Sequence, residues 1–138
     1  MTLPSDVQDR LTCVANLLAR PGQLDGVRIR CGAELLLTAV ERSVARACGA
    51  EDSDEPAQAL LISLPSHVDA DVAYDVSQLW HALSRAIRHH GYELTPTAAE
   101  LAGWHADTAD VCAVLQPPLT LSGTIDLPEG TGETAAVR

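Results

Sequence analysis

Apolar residues recur along this chain with the period of a helix rather than of a strand. Val7, Leu11, Val14 and Leu18 fall at i, i+4, i+7 and i+11, so they share one face of a first helix. Ser5 and Gln8 form a capping-box pattern before it, and Pro21-Gly22 closes it near Arg20. A long second helix is predicted from about Leu24 to Cys48, with an apolar line through Ile29, Ala33, Leu36, Leu37, Val40, Val44 and Cys48. Its other face carries Arg28, Arg30, Glu34, Glu41, Arg42 and Arg46. Few of these charges sit at the i, i+4 spacing that would pair them along the helix.

An acidic loop, Gly49 to Glu55, precedes a short helix expected from about Glu55 to Ser63, broken at Pro65-Ser66. Asp69 is a suitable N-cap for a fourth helix, roughly Ala70 to His89. Val72, Val76, Leu79, Trp80, Leu83 and Ile87 form its apolar stripe. Gly91 can end it in a left-handed cap. Thr97 and Glu100 make a second capping box behind Pro96. The fifth helix carries Leu101, Trp104, Thr108, Val111 and Leu115 until Pro117-Pro118 stops it. Leu119 to Leu127 alternates only weakly. The pattern therefore predicts one all-α domain over residues 1–116, a bundle of four to five helices. A flexible tail rich in Pro, Gly and Thr follows over 117–138.

Composition narrows the function classes. The 138 residues, 46% of them hydrophobic, suffice for one domain with a core. No apolar run approaches the roughly 18 residues of a membrane span. The first residues lack the basic and apolar regions of a signal peptide, so a soluble, cytoplasmic protein is expected. The net charge is −10, which opposes broad, charge-driven binding to nucleic acid. All nine basic residues are Arg, and there is no Phe. With aromatics at 3%, a base-stacking platform of several rings is excluded. Cys13, Cys31, Cys48 and Cys112 are widely spaced and form no C-x2-C pair, so they read as reduced cysteines of the core. Trp80 and Trp104 fall on apolar faces, as core or dimer contacts, while His81 and His105 read as surface residues.

One segment departs from the acidic background. Val76 to Tyr92 contains no acid and holds His81, Arg85, Arg88, His89 and His90. At about 100° per residue, His81, Arg85, Arg88 and His89 gather opposite the apolar stripe. A local basic strip of this kind can hold a phosphate that the whole protein would repel. The three histidines have no carboxylate nearby and no ligand spacing, so no metal or other cofactor is expected.

The order Arg85-x4-His90-x-Tyr92 resembles the R-x4-6-H motif of the HEPN superfamily. More narrowly, it resembles the R-x4-H-x-Y motif of HEPN toxins paired with nucleotidyltransferase antitoxins. As in that family, the motif follows an amphipathic helix and leads into a last one. The resemblance implies a HEPN-like homodimer with its two motifs along a shared cleft. It also implies a metal-independent endoribonuclease, the toxin or effector of a toxin–antitoxin or defence pair, with a nucleotidyltransferase-type antitoxin as partner. The catalytic residues would be Arg85, His90 and Tyr92. Arg85 would hold the scissile phosphate, His90 would transfer protons, and Tyr92 would position the phosphate or carry an adenylyl modification. Beyond the resemblance, Arg88 and His89 are candidate helpers in binding phosphate. Histidine suits proton transfer near neutral pH, and arginine's planar fork suits a phosphate.

The residue after the arginine is often Asn in that family and is Ala86 here. Together with the net charge, it favours an alternative: a non-catalytic, dimeric interaction or nucleotide-binding module of the same fold. Plain structural roles also stay open, with Arg85 and Arg88 as solvated charges and His90 and Tyr92 as turn residues.

Overall fold

A computed structural model describes residues 3–20, 22, 25–88 and 96–116. Five α-helices follow in order: α1 (Ser5–Ala19), α2 (Gly26–Ala47), α3 (Ala57–Ser63), α4 (Ala70–Ile87) and α5 (Ala98–Val114). A 3-10 turn, Leu64–Ser66, links α3 to α4, and no strand occurs among the described residues. The fold is an all-α bundle. The predicted tail, 117–138, lies outside the described residues.

The organising element is α2, which packs against α1, α3, α4 and α5. It can do so because two of its faces are apolar or small. Ile29, Ala33, Leu36, Val40 and Val44 are buried along one line, and Gly32, Ala39 and Ser43 beside it. The second line brings α5 close: a Cβ on Gly32 would lie 2.9 Å from Leu101 Cδ2. Further along, the Cys112 thiol donates to the Ala39 carbonyl at 3.7 Å. These two contacts show that α2 and α5 run in the same direction. Val7, Leu11 and Val14 of α1 are buried, as are Val76, Leu79, Trp80 and Leu83 of α4. Each such side chain contributes roughly 1.5–3 kcal/mol through burial.

One predicted cap forms in full. Thr97 and Glu100 form a complete capping box: the Thr97 hydroxyl accepts from Glu100 N, and the Glu100 carboxylate accepts from Thr97 N. Asp25, which the sequence pattern did not single out, caps α2 by accepting from Arg28 N at 2.8 Å, so that helix starts at Gly26 rather than near Leu24.

Others are corrected. Ser5 lies inside α1, which starts after Pro4, so the Ser5/Gln8 box does not form. Gln8 instead donates forward to the Thr12 hydroxyl at 3.3 Å. Asp69 holds the cap position of α4, but its side chain makes no cap hydrogen bond. Helix α4 ends at Ile87, short of His89. Only Cys112 is a core cysteine; Cys48 is half-buried, and Cys13 and Cys31 are exposed because they point away from the buried lines of α1 and α2. His105 is half-buried, and its Nε2 donates to the Leu11 carbonyl at 3.0 Å, tying α5 to α1.

Glu41 and Arg46 are likewise drawn off the solvent face assigned to them. Glu41 accepts from Trp80 Nε1 at 2.8 Å, linking α2 to α4. Arg46 donates to Asp6 at 2.8 Å and lies 3.3 Å from Glu51.

Candidate functional site

The face of α4 opposite its buried stripe presents Tyr74, Gln78, His81, Arg85 and Arg88, all exposed. Successive members are three or four positions apart, so they form one continuous strip. Arg85 belongs to the last turn, and Arg88 is the C-cap residue, its N–H donating to the Ser84 carbonyl at 3.1 Å. The partial negative charge of a helix C-terminus favours cations at these positions. Among the described residues no carboxylate pairs with either guanidinium. The ion pairs that form there join Arg42 and Arg46 to Asp6, and Arg46 to Glu51. His81 stands edge-on to the Trp80 ring, with centroids 5.1 Å apart and an interplanar angle of 80°.

Arg85 and Arg88 are thus brought together, on one exposed helix end. His89, His90 and Tyr92 lie outside the described residues. Among the described residues, no group of three or more His, Cys, Asp or Glu is placed to hold a metal ion.

Two further features flank α4, and neither was legible in the sequence. A groove of about 570 Å³ separates α4 from α5. Leu79, Trp104 and Val111 form its apolar wall, and Asp75, Asp107 and Asp110 border it. On the other side, a cavity of about 370 Å³ lies between α2, α3, α4 and the loop after α2. Leu60, Leu61 and the buried Trp80 form its apolar side, and Glu41, Arg42 and Glu55 supply charge. Both features combine residues from elements far apart in sequence, so no local spacing announces them. The one available signal was the presence of Glu41 and Trp80 at helical positions bordering apolar lines.

No known family model, curated protein or solved structure matches the chain.

Proposed function

We propose that the chain is a HEPN-like domain that cleaves RNA at the end of α4 by a metal-independent route. The supporting observation is the pair of exposed guanidiniums, Arg85 and Arg88, on one helix end with no carboxylate partner among the described residues. A phosphate at that end would meet two forked donors without displacing an existing ion pair.

The chemistry follows from the motif. A base removes the proton of the ribose 2′-OH, and the oxygen attacks the adjacent phosphorus. The bond to the 5′-oxygen breaks, and an acid returns a proton to that leaving group. This leaves a 2′,3′-cyclic phosphate and a 5′-OH end. His90 is assigned proton transfer, and Arg85 the charge that builds on the non-bridging oxygens. Tyr92 is assigned to positioning the phosphate, with Arg88 and His89 assisting its binding.

Two copies would complete the site. The exposed surface of α4 is acidic at its start, with Asp71 and Asp75, and basic at its end, with Arg85 and Arg88. The pairing that the resemblance implies brings the two basic ends together along a shared cleft and keeps the acidic starts away from Arg85 and Arg88. A nucleotidyltransferase-type antitoxin is the partner that the narrower resemblance implies.

A second reading, a non-catalytic interaction or nucleotide-binding module, is favoured by the acidic border of the α4–α5 groove. Asp75, Asp107 and Asp110 would repel a long polyanion lying beside the strip.

The test is cleavage of a mixed RNA pool in the presence of EDTA, comparing the parent with Arg85→Ala and His90→Ala. Cutting by the parent and its loss in both variants, with helicity unchanged by circular dichroism, is the expected result. A parent that cuts nothing removes the nuclease and leaves the binding module. Variants that cut as well as the parent remove the assigned site.

A further inference from the structure

The cavity between α2, α3 and α4 has the features of a small-molecule site and belongs to neither reading above. Its volume of about 370 Å³ falls within the usual range of ligand pockets, roughly 300–1,000 Å³. One side is apolar, formed by Leu60, Leu61 and Trp80. The other side is charged, and the existing contacts sort its charges into engaged and free.

Arg42 lines the cavity, but its guanidinium is drawn towards Asp6, 3.5 Å away. Glu51 also lines it, and its Oε2 is 3.3 Å from Arg46 Nε. Glu41 is half-buried, and only its Oε2 is engaged, by Trp80 Nε1 at 2.8 Å. Its second oxygen makes no hydrogen bond with the described residues. Glu55 is exposed at the rim, and its carboxylate likewise has no partner among the described residues. Two residues with spare carboxylate acceptor capacity therefore line the same pocket as Leu60, Leu61 and Trp80, and Glu41 is in direct contact with the Trp80 ring. The Trp80–Glu41 bond also holds both the wall and one carboxylate in place, so little ordering is left for a ligand to impose.

The geometry points to a binding site for a small organic cation: a protonated amine on an apolar body, its ammonium on Glu41 and Glu55 and its body against Leu60, Leu61 and Trp80. An ammonium donates three hydrogen bonds and accepts none, which suits two carboxylates with spare lone pairs. A neutral isostere would leave the half-buried Glu41 without its counter-charge, and an anion would be repelled.

The probe is 2-phenylethylamine, with 2-phenylethanol and 3-phenylpropionate as its neutral and anionic counterparts. The chain has two tryptophans, so Trp104→Phe leaves Trp80 emission as the readout. Saturable quenching or shift by the amine is expected, with the alcohol weaker by about tenfold or more and the acid inactive. Glu41→Gln keeps an acceptor for Trp80 Nε1 but removes the charge, and should weaken the amine by about tenfold while leaving the alcohol unchanged. Glu55→Gln, at an exposed position with little bearing on folding, should weaken the amine to a smaller extent. Equal binding of amine and alcohol, amine binding unaltered by both substitutions, or no saturable response in the millimolar range would each overturn the proposal.

Discussion

Asp6 and Arg46 lock the open end of the α1–α2 hairpin: Arg46 Nη2 donates to Asp6 Oδ1 at 2.8 Å across 40 positions of sequence. The two side chains are about a quarter exposed, at 27% and 23%. Arg42 adds a longer contact to the other carboxylate oxygen at 3.5 Å. Desolvation, the largest single influence on Asp6, pulls its pKa up. The hydrogen bond and charge of Arg46, the Val7 N–H and the charge of Arg42 together outweigh it and hold the carboxyl below its ordinary value.

A folded-state pKa below the unfolded one makes stability depend on pH. The contribution is complete above the unfolded value, about 3.9, and is lost as pH falls through the folded value. Asp6→Asn should therefore flatten the acid limb of the stability profile and cost about 1 kcal/mol at neutral pH. Urea unfolding from pH 6 down to pH 2 checks this. Parallel acid limbs for parent and variant would remove Asp6 as the cause.

Gly32→Ala sets two effects against each other. Alanine gains roughly 1 kcal/mol in helix propensity. Its Cβ would lie 2.9 Å and 3.3 Å from the two methyl carbons of Leu101, which is fully buried and has little room to move. Overpacking of this kind costs about 1–3 kcal/mol. A net loss of up to about 2 kcal/mol is expected, with a larger loss for Gly32→Val. A thermal midpoint for Gly32→Ala at or above that of the parent would show that α2 and α5 approach less closely.

Thr108 is fully buried, and its hydroxyl has no hydrogen-bond partner among the described residues. Thr108→Val removes that buried polar atom at nearly constant shape. Stability should stay level or rise by up to about 1 kcal/mol. A loss above about 1 kcal/mol in chemical denaturation would reveal a partner for the hydroxyl.

Thr97→Ala breaks the capping box at the start of α5. The expected cost is about 1 kcal/mol, read as a lower unfolding midpoint with an unchanged m-value. Thr97→Ser should recover most of it, since the hydroxyl is what accepts from Glu100 N.

Arg85→Ala and Arg88→Ala should change stability by no more than about 0.5 kcal/mol each, because both side chains are exposed and make no described ion pair. Chemical denaturation of the variants used in the cleavage test measures this directly. A larger loss would assign the strip a structural role.

The amino-acid sequence by itself determined the helical class, a count of four to five helices and most of their limits. It did so because those features are local. A stripe such as Val76, Leu79, Trp80 and Leu83, a box such as Thr97 and Glu100, and a break such as Pro65 each act within a few residues. It also singled out the acid-free segment from Val76 to Tyr92, and Arg85 and Arg88 do share an exposed face of α4. His89, His90 and Tyr92 fall outside the described residues, so only this part of the candidate site has a structural counterpart.

Tertiary structure alone decided which polar residues leave the solvent. Glu41 and Arg46 lie on the charged side of α2, and helical periodicity assigns both to water. Their partners, Trp80 and Asp6, stand 39 and 40 positions away in sequence. His105 is drawn to the Leu11 carbonyl over 94 positions. The cavity between α2, α3 and α4 has the same origin, since its apolar wall and its carboxylates come from different elements. Helical period reports how a residue faces its own helix axis. Which other helix then covers that face depends on how the bundle closes, and no local spacing carries that information.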